Sequence, residues 1–320
     1  MQNLKLKRRA LELSHLEAHL TQGRGSYHFE NLEWFRVVVR HVLRASGMLP
    51  RGERNALRPI VRDLRFEFSD LPPAFDGYRI LHLSDIHADG LAGLADVIHD
   101  QVRALPADLC VMTGDYRFEI HGPCHNVYHA MKRILSGISA RRGIVGILGN
   151  HDFAEEADAL RDMGVTMLIN ESLELQEGAD RLWLVGLDDP HFYGCDDLPG
   201  ALANVPADAF KILLVHTPEM LDEAVAAGIR LYLCGHTHGG QMCLPWVGPL
   251  IVNASCPRRY TRGVWQFKEM QGYTSAGIGS SGVAARFNCP PEIAMITLRR
   301  STASRNDRGD ATSPIIQPTH

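Results

Sequence analysis

The stretch Leu231-Tyr232-Leu233-Cys234-Gly235-His236-Thr237-His238-Gly239-Gly240-Gln241 decides how this chain is read. A short apolar strand runs into a glycine turn, and two histidines follow with one residue between them. In an extended segment residues i and i+2 project to the same side, so both imidazoles are expected to face one small volume. The flanking glycines let the backbone come close to whatever sits there. Two histidines do not complete a catalytic metal site, which needs at least three protein ligands and an open position. The missing donors must come from elsewhere in the chain.

Four other apolar runs end in residues of that kind. Arg79–Leu83 leads into Ser84-Asp85-Ile86-His87, and Leu109–Thr113 into Gly114-Asp115. Ile144–Leu148 leads into Gly149-Asn150-His151-Asp152, and Lys211–Val215 into His216-Thr217-Pro218. Further strands are expected at Thr166–Ile169 and Leu182–Gly186, with helices at Leu91–Leu105, Asn126–Leu135, Glu155–Met163 and Pro218–Ala227. Such alternation points to an α/β fold whose ligands gather beyond the strand carboxyl ends. Leu64–Phe68 alternates like an edge strand and is ended by Leu71-Pro72-Pro73. Glycine-rich pieces between Val247 and Arg299, including Tyr273–Ile278 and Glu292–Leu298, suggest a second sheet of more antiparallel character.

A lone Asp-x-His or Gly-Asp recurs by chance. All five motifs, in this order and each behind an apolar strand, resemble the calcineurin-like metallophosphoesterase family, whose pattern is D-x-H, G-D, G-N-H-[DE], H and G-H-x-H. The resemblance runs from Arg79 to Leu298, and the GHTHGGQ form ending at Gln241 is similar to a bacterial phosphodiesterase branch. It implies two mixed β-sheets packed as a sandwich and flanked by helices. It also implies two metals, one held by Asp85, His87, Asp115 and His238, the other by Asp115, Asn150, His216 and His236, with Asp115 bridging. His151 would stabilise or protonate the leaving oxygen, Asp152 would fix its tautomer, and Asn150 would also hold a phosphoryl oxygen. Arg117, two residues past Asp115, is expected either to clamp phosphate or to enter an ion pair. Arg286 is the expected second substrate contact, in a region shared with Tyr260, Arg262 and Ser281.

The donor chemistry points the same way. Imidazole, carboxylate and amide oxygen suit manganese, iron, cobalt, zinc or nickel, with manganese the expected ion, and the lack of thiolate argues against a structural zinc site. Two cations ~3.5–4 Å apart would acidify water toward pH ~7, and the metal-activated hydroxide would attack phosphorus in line. The expected reaction is hydrolysis of a phosphodiester or pyrophosphate bond, in a lipid-linked or nucleotide-sugar substrate. A cyclic or linear nucleotide diesterase and a non-catalytic scaffold are the alternatives. His82 alternates with Leu81 and Leu83 and should point away from the metals. His125 and His129 lack the glutamate of an HExxH arrangement. Asp188 and Asp189 either orient ligands or cap the next helix.

Charge is distributed unevenly over the 320 residues. Residues 1–65 hold 13 Lys/Arg against 6 Asp/Glu, while the remainder holds 20 against 31. A basic N-terminal extension (1–65), a catalytic domain (66–300) and a disordered tail (301–320) are therefore expected. Residues 1–30 read as polar and weakly helical. A helix over Asn31–Ser46 would carry Phe35, Val38, Val39, Val42 and Leu43 on one stripe and Arg36, Arg40 and Arg44 on another. Such a helix lies on an anionic membrane or docks on its own body, and Pro50 with Gly52 should break it. The aromatics of this arm do not interleave with its cations, so nucleic acid is not an expected partner. Seven cysteines without a CxxC pair, with Cys110 and Cys234 inside apolar runs, suggest a reducing compartment. No signal peptide or ~18-residue apolar span is evident, so a cytoplasmic location, peripheral on the inner membrane face, is expected.

Overall fold

The computed structural model describes residues 2–13, 33–119, 125–249 and 252–301; the expected tail beyond Ser301 lies outside them. Two six-stranded mixed sheets form the body. In the first, β1 (Ile60–Phe68) pairs parallel with β14 (Glu292–Arg300), which runs antiparallel to β2 (Arg79–Leu83). Parallel strands β3 (Leu109–Met112), β4 (Ile144–Gly146) and β5 (Val165–Met167) complete it. The second runs β12 (Gly263–Phe267), β13 (Met270–Thr274), β9 (Leu231–Cys234), β8 (Lys211–Leu214), β7 (Asp180–Gly186) and β6 (Glu171–Glu177). A short hairpin of β10 (Cys243–Leu244) and β11 (Gly248–Pro249) stands apart.

Period-2 alternation explains how the sheets pack. Ile80, Val111, Val145 and Ile296 from the first sheet meet Leu184, Ile212, Leu231 and Leu233 from the second in one shared core. The alternate residues Leu81, Leu83, Cys110 and Met112 face outward onto α4 (Leu94–Val102), α5 (His125–Leu135) and α6 (Ala154–Asp162). On the other side Val185, Leu213, Val215 and Tyr232 meet α7 (Leu198–Ala201) and α8 (Leu221–Ala226). The architecture is thus a sandwich of mixed sheets with helices on both outer faces. The six described cysteines are all free.

Three expectations need correction. The strands of the C-terminal third do not build a sheet of their own: β12 and β13 extend the second sheet, while β14 inserts into the first. The boundary expected at residue 65 falls inside β1, which begins at Ile60. Pro50 and Gly52 do not end helical structure. Helix α2 (Glu33–Ala45) is followed at once by α3 (Leu49–Ala56), with Pro50 in its first turn, where a missing N–H leaves no bond unmade. Gly52 is there for packing, since a Cβ would overlap Ala285 and the Phe287 ring.

N-terminal to these lies α1 (Gln2–Leu13). Helix α2 docks through Leu43, with Val39 partly buried, onto Leu49, Val283, Ala285, Met242 and Phe287. The other half of its apolar stripe, Val38 and Val42, stays exposed together with Val37. His82 is buried between the sheets, its Nε2 2.8 Å from Thr113 Oγ1, and takes no part in the site.

Candidate metal centre

Three adjacent parallel strands of the first sheet (β2, β3, β4) and two of the second (β8, β9) end at one edge of the sandwich. The five polar loops that follow them therefore converge. All seven expected ligands are buried there. The backbone that brings them together is not extended as expected for His236 and His238. Asp85, His87, Asp115, His236 and His238 all have positive φ, between 40° and 69°, a region costly for residues with a Cβ. The two histidines converge because each turns left-handed on either side of Thr237. Strain concentrated on these ligands marks a site that the surrounding fold over-determines. Gly235 and Gly149 make room: a Cβ on Gly235 would overlap the Asp85 carboxylate, and one on Gly149 the Asp115 carboxylate.

Two groups of donors meet at Asp115. His87 Nε2 lies 3.2 Å from His238 Nε2 and 3.7 Å from Asp115 Oδ2, and His238 Nε2 is 3.5 Å from Asp85 Oδ1. On the other side His216 Nε2 lies 3.0 Å from Asn150 Oδ1 and 3.3 Å from Asp115 Oδ2, and His236 Nδ1 is 2.9 Å from Asn150 Oδ1. The far ring nitrogens fix what faces inward. His87 Nδ1 donates to the Arg117 carbonyl at 2.6 Å and His216 Nδ1 to the Thr113 carbonyl at 2.7 Å. In the neutral ring that leaves a bare Nε2, which at both histidines faces the Asp115 carboxylate. Lone pairs gathered at this spacing repel one another unless positive charge sits among them, and the donor set fits divalent cations on either side of Asp115. The same demand shows in the titration. Burial opposes protonation of His216, yet the facing Asp115 carboxylate pushes it up to about 10. Burial would raise Asp115, but His216 holds it well below the usual carboxylate range. Burial, with neighbouring imidazoles, keeps His236 and His238 far below the ordinary histidine value, as unprotonated donors.

His151 stands beside this pair, its ring 4.8 Å from that of His87 and its Nε2 4.0 Å from Asp115 Oδ2. Its Nδ1 donates to the Phe118 carbonyl at 2.9 Å, and burial lowers it to about 3. Asp152 does not fix this tautomer. Its carboxylate accepts the backbone N–H groups of Asp115 (2.7 Å), Tyr116 (2.7 Å) and Gly149 (2.8 Å), clamping two ligand loops together. Adjacent residues on a tight turn aim in different directions, which is why proximity in sequence misled.

The two expected substrate arginines are also placed elsewhere. Arg117 is buried, ion-paired with Glu156 at 3.3 Å and stacked over Phe153 at 4.5 Å, which is the ion-pair alternative rather than a phosphate clamp. Arg286 is 0 % exposed. Its guanidinium donates to the carbonyls of Ala276 (2.7 Å), Gly277 (3.1 Å) and Gly279 (2.9 Å), and lies 3.3 Å from His238 Nδ1. It braces the loop against which the Asp85 turn rests, since Gly279 N–H donates to the Asp85 carbonyl. Tyr260 is a core residue packed on Trp265 and Phe267. Gln241 accepts Ser281 N–H and donates to the Ser281 and Val283 carbonyls. Asp189 accepts from the backbone N–H of Phe192 and Tyr193, closing a turn.

Sequence reading missed two groups near the site. His191 packs against His236, ring centroids 4.5 Å apart, with its Nδ1 2.9 Å from Glu219 and Asn253 reaching both imidazoles at 3.4 and 3.5 Å. Its signal was present: Asp188-Asp189-Pro190-His191 follows β7 just as the ligand loops follow β8 and β9. The second is Arg8 of α1, which gave no sequence signal. It is 2 % exposed and reaches the Gly149 and Asp152 carbonyls.

Comparison with known proteins places this centre. The sequence is 32% identical over 239 residues to the uncharacterized metallophosphoesterase YkuE of Bacillus subtilis, covering 72% of this chain and 82% of that one. It is 29% identical to the phosphodiesterase YaeI of Escherichia coli, over 69% of this chain and 82% of that one. A bovine transmembrane protein with a metallophosphoesterase domain is 28% identical over 82% of this chain and 61% of its own length. Among the described residues of this chain no helix is long and apolar enough to cross a membrane. The family model for calcineurin-like phosphoesterases matches residues 78–240, which hold all seven of the expected ligands. The chain belongs to the calcineurin-like phosphoesterase family and is, by that membership, a metal-dependent phosphoester hydrolase.

Proposed function

We propose that this chain is a dinuclear, manganese-dependent phosphodiesterase that cleaves a phosphodiester or pyrophosphate bond in a lipid-linked or nucleotide-sugar substrate, within the branch that carries GHTHGGQ. Asp85, His87, Asp115 and His238 hold one cation, and Asp115, Asn150, His216 and His236 the other. The observation that carries this reading is the pair of acceptor clusters on either side of Asp115 Oδ2. Two bound cations would supply Lewis acidity and a water acidified toward pH ~7. The protein supplies position. Asn150 sets its amide oxygen between His216 and His236, and Asp152 fixes the turn that carries it. His151, locked by Phe118, directs Nε2 at the reacting group, where an anionic leaving oxygen is the partner that favours a proton on that nitrogen.

The membrane-borne substrate is favoured by the surface beside the mouth. Helix α2 exposes Val37, Val38 and Val42 beside Arg40 and Arg44, and the β10–β11 turn exposes Leu244, Trp246 and Val247. Both adjoin the cluster of Leu43, Leu49 and Met242. Arg36 of α2 lies 5.3 Å from the Phe118 ring, which packs on His87, so this apolar rim borders the centre. Exposed apolar side chains interspersed with arginine suit an anionic lipid surface met through residues 31–46, on the cytoplasmic face; residues 31 and 32 lie outside the described set.

The test is a substrate panel on manganese-loaded protein: bis-p-nitrophenyl phosphate, p-nitrophenyl phosphate, a nucleoside diphosphate sugar, and its acylated form in vesicles. Diester and pyrophosphate cleavage with preference for the acylated form supports the proposal. Preference for a cyclic nucleotide would move the assignment to nucleotide diesters. Protein that binds two metals and cleaves nothing would be a scaffold.

A further inference from the structure

Helix α1 belongs to the basic segment that would ordinarily be read as facing outward, yet one of its cations is among the most deeply buried groups in the molecule. Arg8 Nε donates to Glu12 at 3.1 Å, one terminal nitrogen pairs with the Asp188 carboxylate, and the other donates to the Gly149 carbonyl at 3.0 Å and the Asp152 carbonyl at 2.6 Å. The Tyr193 ring lies beneath the guanidinium at 4.1 Å. Gly149 and Asp152 are the two feet of a short arch whose crown is Asn150-His151. Among the described residues no other donor reaches either carbonyl.

The rest of α1 fastens to the same two loops. Glu12 accepts the N–H of Ala154, the first residue of α6, at 2.8 Å, and Lys7 donates to the Gly194 carbonyl at 2.7 Å. Leu11 packs on Phe192, Tyr193 and Cys195. A planar guanidinium with donors on several edges can hold two carbonyls and a carboxylate at once; an ammonium is a point charge and cannot match that fork.

We propose that Arg8 is a positioning residue of the metal centre, which fixes the arch carrying Asn150 and His151 and so sets the affinity of the half-site to which Asn150 belongs. The proposal rests on the ligand assignment made above. The half-site of Asp85, His87 and His238 takes no ligand from the arch, which it meets through Asp115, the His87–His151 ring contact and the His236 N–H on Asp85, so the effect falls on the other half-site first, whereas general destabilisation would weaken both halves alike.

The experiment is a calorimetric Mn²⁺ titration of full-length wild type, Arg8→Ala, Arg8→Lys and Asn150→Ala. Wild type should show two binding events. Arg8→Ala should weaken one of them roughly 10- to 100-fold, the usual cost of losing a residue that orients a ligand, while the other is unchanged. Guanidinium chloride at low millimolar concentration should restore the lost event, and ammonium chloride should not. Arg8→Lys keeps the charge against Asp188 and decides the matter if Arg8→Ala does not fold. It should show the same selective weakening. Two wild-type binding events in Arg8→Lys, or equal weakening of both, would overturn the proposal. If Asn150→Ala also keeps both events, the ligand assignment itself fails and takes the Arg8 role with it. Loss in Asn150→Ala alone removes only the role of Arg8.

Discussion

Two buried arginines stand behind the two halves of the metal centre, and they are built differently. Arg286, behind Asp85 and His238, is held by carbonyls of residues 276–279 from its own part of the chain. Arg8, behind Asn150, comes from the far N-terminus and is anchored by Asp188 and Glu12 as well as by carbonyls. The first is an internal cross-link of the fold; burial lowers its affinity for its proton, and among the described residues no carboxylate forms an ion pair with it, Glu292 and Asp85 acting only from a distance. The second is a strut applied from outside, with its own counter-charge. Both arginines lie outside the span of the family match, but Arg286 sits between β13 and β14 of the sandwich itself, whereas Arg8 belongs to a helix that precedes it.

Variants should break that comparison in a fixed order. Asp115 belongs to both halves, so Asp115→Ala should abolish the pair and lower turnover at least ~10³-fold, because metal polarisation of a phosphoryl oxygen is worth several kcal/mol; metal analysis and kinetics check it. Arg286→Lys should weaken the half-site complementary to the one that Arg8→Lys weakens. It should also cost more stability, since buried carbonyls left without donors cost ~1–3 kcal/mol each; denaturant unfolding of both variants reads the difference. His151→Ala touches neither arginine. Both metals should stay, and turnover should fall at least ~10-fold on a substrate with an alkoxide leaving group. Unchanged turnover there would remove His151 from the chemistry.

The smallest effect is a pH dependence. Burial, opposed by Arg8, pushes Asp188 up to about 6. A carboxyl raised in the folded state binds its proton more tightly there than when unfolded. Its contribution to stability therefore grows as pH falls from about 6 toward the ordinary value near ~4, and is lost as pH rises back. Metal-free wild type should gain ~1–3 kcal/mol over that interval relative to Asp188→Asn.

The proposed ligands were legible because they follow short apolar strands in an order that resembles a known family's motif set, and the strand ends set the edge of the sandwich at which they meet. Their conformation was hidden, since nothing in Asp85 or His238 announces a left-handed backbone; only the burial and crowding of neighbouring loops impose it. Asp152 was assigned to its neighbour His151, whereas its partners are amides of two separate loops. Arg286 was expected at the mouth because arginine near a phosphate site usually binds phosphate, yet its acceptors are backbone carbonyls that no composition reveals. Arg8 was illegible for the plainest reason: its partners Gly149, Asp152 and Asp188 are more than a hundred residues away. In α2 the stripe was visible, but its division into a docked half at Leu43 and an exposed half at Val42 depends on where Val283 and Ala285 arrive.

The most direct test of a shared, carboxylate-bridged pair is electron paramagnetic resonance of the protein loaded with two equivalents of Mn²⁺. Two ions ~3.5–4 Å apart across Asp115 are exchange-coupled, so the account predicts a coupled dinuclear spectrum in wild type that is lost in Asp115→Ala. A spectrum of isolated, uncoupled Mn²⁺ in the fully loaded wild type would contradict it.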